Sequence, residues 1–276
     1  MLAPGPASAR SAITETSADV TPDGSARQTA ITLPGDRIIR RFAVTAGQRL
    51  YAAVTSPSAG TTLSILAPTG TSLVSETPSI AKPLFVDVEV GAAATTGLYS
   101  VVIDPASDAT GTYAWSISAI TEGSAPQAPD GVSRDATTTM PGERIYRTFA
   151  VTAGQRIYAR VTSGDGSMAL ELRAPGGAVL DSATGNGSAT ALDVEIDTAA
   201  ESGTYAVAVD PGGAATGTYA LVISAITGSA VGVTADGSSR DATTTMPGER
   251  IYRTFPVSAG RRIWVRVTSS DKRMAV

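Results

Sequence analysis

Apolar and polar residues alternate along five short stretches in the middle of the chain. One stretch places Ile157, Ala159 and Val161 on one side and polar side chains on the other. The apolar residues of the other stretches are Met168, Leu170 and Leu172; Leu192, Val194 and Ile196; Tyr205, Val207 and Val209; and Tyr219, Leu221 and Ile223. A period of two with one apolar face is typical of half-buried antiparallel strands. The pattern therefore predicts strands, and no stretch shows the apolar stripe of a helix.

Clusters of glycine and proline separate these stretches. They are Ala153-Gly154, Gly164-Asp165-Gly166, Pro175-Gly176-Gly177, Gly185-Asn186-Gly187 and Asp210-Pro211-Gly212-Gly213. Glycine supplies the positive φ that tight turns need, and proline fixes φ at their corners. About seven or eight short strands at this spacing predict an all-β fold, a two-sheet antiparallel β-sandwich of the jelly-roll or immunoglobulin-like kind.

The same pattern occurs three times. Residues 133–163 and 239–269 are identical at 26 of 31 positions, and residues 25–56 are a more diverged copy. The Pro-Gly pairs that begin at positions 34, 141 and 247 mark copies 107 and 106 residues apart. A period of about 100 residues is too long for a solenoid and matches a domain that buries its own core. We therefore predict tandem domains, here called units one, two and three.

Junctions between the units are rich in small residues, proline and glycine. The predicted divisions are a flexible N-terminal segment (1–24), unit one (25–121), a linker (122–131), unit two (132–227), a second linker (228–238) and an incomplete unit three (239–276). Unit three holds only the first strands of the pattern, and such a fragment leaves a core face and a sheet edge uncovered. We expect the chain to be a piece of a longer array, with residues 238–276 disordered or self-associating.

Composition argues against catalysis. The chain has no cysteine and no histidine, which removes disulfides, thiolate metal sites and the usual general base. Several serines and threonines are present, but nothing in the sequence would activate them as nucleophiles. The net charge of −4 favours neither nucleic acid nor an anionic membrane. No apolar run is long enough to span a membrane, and no complete export signal is present.

Several motifs together resemble the bacterial pre-peptidase C-terminal domain. They are Phe-x-Val-x-Ala-Gly-Gln-Arg at 149–156, Leu-x-Leu-x-x-Pro-x-Gly at 170–177, Ser-Gly-Thr-Tyr at 202–205 and Thr-Gly-Thr-Tyr at 216–219. The resemblance implies a β-sandwich of this size, found as a non-catalytic appendage of secreted proteases and, in tandem, in large bacterial surface and RHS-repeat proteins. Some members bind calcium or collagen. The linkers here offer only Glu122, Asp130 and Asp236, so the family's calcium site is not carried over and no cofactor is expected.

One set of side chains is a candidate ligand site. Arg144, Tyr146, Arg156, Tyr158 and Arg160 combine aromatic rings with guanidinium groups, which suits an anionic glycan or another carboxylated polymer. The alternative is that these residues form cross-strand pairs with carboxylates and aromatic rings on a polar sheet face. That alternative is favoured by the residue types alone.

Carboxylates also alternate outward on one predicted strand of each unit. They are Asp87 and Glu89 in unit one and Asp193, Glu195 and Asp197 in unit two. Calcium takes six to eight oxygens, usually from a folded loop. A flat strand face therefore favours a solvated surface paired with nearby arginines, and no metal site is predicted.

Three functions are open at this point. The first is a structural spacer or adhesive region of a secreted or surface bacterial protein. The second is a set of weak binding modules for glycan, collagen or calcium, strengthened by repetition. The third is a glycan-, collagen- or calcium-binding accessory region of a secreted hydrolase. The partners of the array would be a polysaccharide, an extracellular-matrix protein or a surface protein. Near-identical copies without catalytic chemistry favour the first.

Overall fold

Residues 15–77, 85–106 and 108–269 are described by the computed structural model, and they form strands and no helix. The strands of unit one are β1 (Glu15–Asp19), β2 (Arg27–Ile31), β3 (Arg37–Val44), β4 (Arg49–Thr55), β5 (Thr62–Leu66), β6 (Ser72–Glu76), β7 (Phe85–Val90), β8 (Gly97–Asp104) and β9 (Gly111–Ile120). Those of unit two are β10 (Ser124–Pro126), β11 (Arg134–Thr138), β12 (Ile145–Val151), β13 (Arg156–Thr162), β14 (Ala169–Arg173), β15 (Val179–Thr184), β16 (Ala191–Ile196), β17 (Gly203–Asp210) and β18 (Gly217–Ile226). The predicted all-β class is confirmed.

Each unit consists of two packed sheets with the same strand order. In unit one the sheets run β1-β3-β8-β5-β6 and β2-β9-β4-β7. In unit two they run β10-β12-β17-β14-β15 and β11-β18-β13-β16. Pairing is antiparallel throughout, except that β1 lies parallel to β3 and β10 parallel to β12. The chain thus contains two copies of one β-sandwich.

An aromatic pair lies in each core. Phe42 on β3 is opposite Tyr99 on β8, and Phe149 on β12 is opposite Tyr205 on β17. The ring centroids are 6.4 Å apart in both pairs, and all four side chains are buried. Each sandwich has a separate cluster of buried apolar residues. The predicted equivalence of the two aromatic pairs, and their place in the core, is confirmed.

The segment before unit one differs from the sequence-based expectation. Residues 15–19 form strand β1, which pairs with β3 over its whole length. Asp23 makes a β-bridge to Ser118, and the Gly24 amide donates to the Ile117 carbonyl at 2.9 Å. Residues 15–24 are therefore an edge of unit one and not a flexible lead-in. Residues 1–14 of that predicted segment lie outside the described residues.

The first predicted linker is likewise part of unit two. Strand β10 pairs with β12, and the amide of Gln127 donates to the Thr148 carbonyl at 2.9 Å. The Gln127 side chain is buried and donates to the Leu221 carbonyl at 3.0 Å. Only residues 121–123 separate β9 from β10. The junction between the two sandwiches is therefore a short turn, with little chain free to move.

After β18 the same arrangement begins again. Strand β19 (Ala230–Gly232) pairs in parallel with β20 (Tyr252–Thr254), as β10 pairs with β12. Apolar side chains in this region are exposed: Ile251, Tyr252, Val257, Ile263, Trp264, Val265 and Val267. Residues 270–276, the last part of the predicted unit three, lie outside the described residues.

Candidate functional site: the junctions between units

The loop between β11 and β12 is a tight turn with the sequence Thr-Met-Pro-Gly-Glu-Arg, residues 139–144, here called the docking turn. Gly142 adopts φ of 79°, a conformation that glycine takes without strain. The Glu143 carboxylate accepts hydrogen bonds from the amides of Thr139 at 2.6 Å and Met140 at 3.1 Å. The Glu143 amide donates to the Met140 carbonyl at 3.1 Å. The turn is therefore held in shape by its own residues.

This docking turn lies against unit one. A Cβ atom on Gly142 would be 2.4 Å from the Cβ of Tyr51, a distance no packed side chain can adopt. Pro141 lies beside Gly24 in the same way, with its Cδ 2.7 Å from where a Cβ on Gly24 would be. Both glycines also have positive φ. Contact this close requires glycine at both positions.

Arg49 on β4 of unit one forms a hydrogen bond to the docking turn. Its side chain is only 2% exposed, and its Nε donates to the Gly142 carbonyl at 3.1 Å. The other guanidinium nitrogens pair with Glu89 and, at 3.9 Å, with Glu122. A buried cation is tolerated only when its charge and its donors have partners. Unit two supplies one of these partners, so burial of Arg49 depends on the docked neighbour.

Arg144, the last residue of the turn, reaches across the junction as well. It pairs with Glu89 of unit one at 3.4 Å and with Asp210 of its own unit at 2.6 Å. Burial by itself would lower the pKa of Arg144, but the hydrogen bond that Arg144 donates to Asp210, the charge of Asp210, and contributions from Tyr146 and Glu89 together raise the pKa above its usual value. Glu89 therefore contacts arginines from both units, which ties the two sandwiches together.

The second junction repeats these contacts with the docking turn of residues 245–250. A Cβ on Gly248 would lie 2.4 Å from the Cβ of Tyr158, and Arg156 Nε donates to the Gly248 carbonyl at 2.9 Å. Arg156 also pairs with Glu195 and Asp197. Arg250 pairs with the same two carboxylates at 3.0 and 2.8 Å. Most contacts of the first junction thus have an equivalent in the second.

One acidic position differs between the junctions. Glu122 follows β9 in unit one, and Gly228 stands at the matching place after β18. Conversely, Asp197 follows β16, where unit one has Gly91 after β7. Each buried arginine therefore has two carboxylates within 4 Å, although one of them comes from a different strand end. Charge balance is kept while the residues that provide it change.

The tyrosines that receive the turns donate to carboxylates on the neighbouring strand. Tyr51 donates to Asp87 at 3.1 Å, and Tyr158 donates to Asp193 at 2.5 Å. Burial, followed by the contact with Asp193, raises the pKa of Tyr158 to about 12. Burial and Asp87 raise the pKa of Tyr51 as well. Both hydroxyls stay protonated at neutral pH and keep their rings in position beneath the turn.

The structure places the five predicted ligand residues on two different sheets and, for Arg144, in the docking turn. Tyr146 lies on β12 in one sheet, while Arg156, Tyr158 and Arg160 lie on β13 in the other. Arg144 is at the first junction, Arg156 and Tyr158 are at the second, and Arg160 lies 3.7 Å from Asp193. The five do not form one face, and binding of a ligand by them stays a prediction. The predicted pairing of Glu195 and Asp197 with arginines is confirmed.

The site residues missed from the sequence include Gly142, Gly248, Arg49 and Tyr51, whereas Glu89 was expected to pair with an arginine and does so. The Pro-Gly pairs were visible as markers of the repeat, and their strict recurrence was the available signal. Nothing in a single sequence says that a turn of one unit contacts a strand of the preceding one. Within 15–77, 85–106 and 108–269, no group of three or more acidic residues is placed to hold a metal ion, and no helix could cross a membrane.

No family model matches the sequence, and no curated protein matches it. Solved structures that are similar to parts of this chain include the pre-peptidase C-terminal domain of collagenase from Bacillus anthracis, at 14% identity and a TM-score of 0.32, covering 39% of this chain and 99% of that one. Another is PliG of Aeromonas hydrophila, a periplasmic inhibitor of g-type lysozyme, at 12% identity and a TM-score of 0.28, covering 38% and 98%. The CUB1-EGF-CUB2 domains of rat MASP-1 match at 6% identity and a TM-score of 0.24, covering 75% and 100%. At such identities the likeness concerns the fold alone.

Proposed function

We propose that this chain is a non-catalytic structural spacer in a secreted or surface bacterial protein, and that its units act as stiff segments docked end to end. The observation that carries this proposal is the docking turn, which seats a glycine against a tyrosine and a carbonyl on a buried arginine at both junctions. Inter-domain contacts that are small and polar usually permit motion. The contacts at the docking turn instead combine close packing with charged groups of one unit that neutralise charges of the other.

Two further features support the spacer. Because β10 pairs with β12 inside unit two, only residues 121–123 connect the two sandwiches, and unit two cannot move far without removing the docking turn from unit one. The chain also lacks histidine and cysteine, which removes the side chains most often used in catalysis. The proposed extracellular or cell-surface location of the protein is based on the resemblance of the repeat motifs to the pre-peptidase C-terminal domain.

A distance measurement between the units tests the spacer. Since the chain has no cysteine, Thr71→Cys and Ala178→Cys introduce two unique labelling sites at matching turns of units one and two. We expect double electron–electron resonance between spin labels there to give one narrow distance distribution. Gly142→Val should broaden it, because a valine cannot fit beside Tyr51.

The matched control is Gly35→Val. Gly35 occupies the same place in the turn of unit one and also has positive φ, but among the described residues nothing lies within 4 Å of its Cβ position. This variant carries the same backbone strain without a clash and should leave the distribution narrow. A distribution in the unmodified chain as broad as that of the Gly142→Val variant would show independent units and would refute the spacer.

A further inference from the structure

The docking turn of residues 245–250 contacts unit two through its own residues. Among the described residues, 239–245 and 256–269 are exposed, whereas Met246, Gly248 and Glu249 are partly buried. Buried surface in this region is therefore concentrated where the turn meets unit two.

The turn also carries the interactions that shape it. The Glu249 carboxylate accepts hydrogen bonds from the amide of Thr245, from its hydroxyl at 3.1 Å and from the amide of Met246 at 3.3 Å. The Glu249 amide donates to the Met246 carbonyl at 3.2 Å, and Gly248 has φ of 79°. Preorganisation of this kind lowers the entropy lost on binding. Six residues are enough to define the shape that is recognised.

Unit two supplies the whole of the surface opposite the turn, here called the acceptor face: Gly131, Arg156, Tyr158, Glu195 and Asp197. Pro247 lies beside Gly131, with its Cδ 2.9 Å from where a Cβ on Gly131 would be. Tyr158 contacts Gly248, and the two carboxylates pair with Arg250. The acceptor face thus contacts the proline, the glycine, the glycine carbonyl and the arginine of the turn.

We propose that the acceptor face of unit two is a peptide-recognition site for a Thr-Met-Pro-Gly-Glu-Arg turn, and that it takes this turn in trans from a second copy of the chain when its own is displaced. The proposal rests on the docking that the spacer function uses. It goes further because it makes the turn a ligand separable from the unit that carries it. A tethered turn occupies the site in a single chain, and exchange of turns joins two copies.

The test uses a synthetic peptide with the sequence of residues 241–252 and the full chain as host. In the Gly248→Val host the turn of the chain itself cannot fit beside Tyr158, which leaves the acceptor face open. We expect the peptide to shift the amide resonances of Gly131, Tyr158 and Glu195 in this host, with a Kd on the order of 1 mM. The unmodified chain should bind about two- to fivefold more weakly, because its tethered turn competes at an effective concentration of a few millimolar, comparable to this Kd.

Three controls make the test specific. A Gly260→Val host, altered at a glycine of similar φ with nothing within 4 Å, should behave like the unmodified chain. A peptide with valine in place of Gly248 should not bind, and an Arg250→Ser host, which loses the two exposed ion pairs of Arg250 but keeps the contacts of Gly248, should bind the native peptide more tightly than the unmodified chain and more weakly than the Gly248→Val host. Circular dichroism of each host verifies its fold.

The proposal is overturned if the native peptide shifts no acceptor-face resonance in the Gly248→Val or the Arg250→Ser host at about 5 mM, or if the valine peptide binds equally well. These results would leave the spacer untouched, since that function is tested at the first junction by distances within one chain. Conversely, a broad distance distribution at the first junction with specific peptide binding at the second would refute the spacer and leave the recognition site standing.

Discussion

Gly142 of unit two lies against the side chain of Tyr51 in unit one, with no space between them for even a methyl group. Gly248 and Tyr158 repeat this relationship one unit later. In both cases the tyrosine lies on the last strand of the repeated segment, β4 or β13, and the glycine lies in the docking turn that precedes β12 or β20. The most strongly repeated part of the sequence therefore contains both halves of a contact between neighbours.

Gly142→Ala should destabilise the chain more than Gly35→Ala. Both changes put a non-glycine residue at positive φ, which costs about 1–2 kcal/mol, but only Gly142 has a neighbour in the way. We expect the difference between the two variants to be about 1–3 kcal/mol, measured by urea denaturation. Equal losses would mean that the two units separate readily and that the contact contributes nothing to stability.

Phe149→Ala should reduce the stability of unit two by about 3–5 kcal/mol. The ring is 4% exposed and lies 6.4 Å from that of Tyr205 in the core. Thermal unfolding followed by near-ultraviolet circular dichroism measures the loss. Leu180→Ala, at an exposed position on β15, serves as the control and should change stability by about 0.5 kcal/mol or less.

The second carboxylate beside the buried arginine is Glu122 at the first junction and Asp197 at the second. We therefore expect that a glutamate at the position equivalent to Glu122 compensates for loss of Asp197. Asp197→Gly removes a partner of both Arg156 and Arg250, and because Asp197 is mostly exposed we expect a loss of only about 1 kcal/mol. Adding Gly228→Glu restores the arrangement that Glu122 provides at the first junction. A double-mutant cycle should then show recovery of most of that loss. Strict additivity of the two changes would contradict the proposed equivalence.

The folded chain should become less stable in acid, whereas small changes of pH around neutrality should not change its stability. The Arg134 side chain, together with the amide of Val132, holds the pKa of Asp130 below its usual value of 3.8, and Arg240 does the same for Asp236. A carboxyl with a depressed pKa in the folded chain stabilises it above that usual value, and the contribution is lost as the pH falls further.

The melting temperature measured between about pH 2 and pH 8 checks this expectation. It should be flat from about pH 5 to pH 8, because the chain has no histidine to titrate there, and should fall below about pH 4. Asp130→Asn should lower the plateau and flatten the acid limb. A midpoint near pH 6.5 would point to a different titrating group.

Burial explains which strands could be predicted from the sequence. Met168, Leu170 and Leu172 are all fully buried, so the apolar positions of this alternating stretch are the positions that face the core. Strand β10 shows no such signal, since its side chains are not buried in the core and it is held to the edge of its sheet by backbone hydrogen bonds. Its Pro126 suggested a linker, although proline is compatible with an edge strand.

The candidate site was predictable only in part, for a different physical reason. The residue types at Arg156 and Tyr158 pointed to a site that binds something, and these side chains do contact a partner, but the partner is the next turn of the same chain. Arg49 and Gly142 are 93 residues apart in sequence. Contacts of this separation follow from how whole sandwiches are placed, which local periodicity does not contain.

The docking turn and the acceptor face are different surfaces located at opposite ends of a unit. A contact of this heterologous kind does not close on itself, so each added unit meets the previous one in the same way and leaves the same end open. The repeat therefore has polarity, like the subunits of a filament. Since most contacts of the first junction recur in the second, the same pair of surfaces can join each unit to the next, and the direction of an array follows from a single junction.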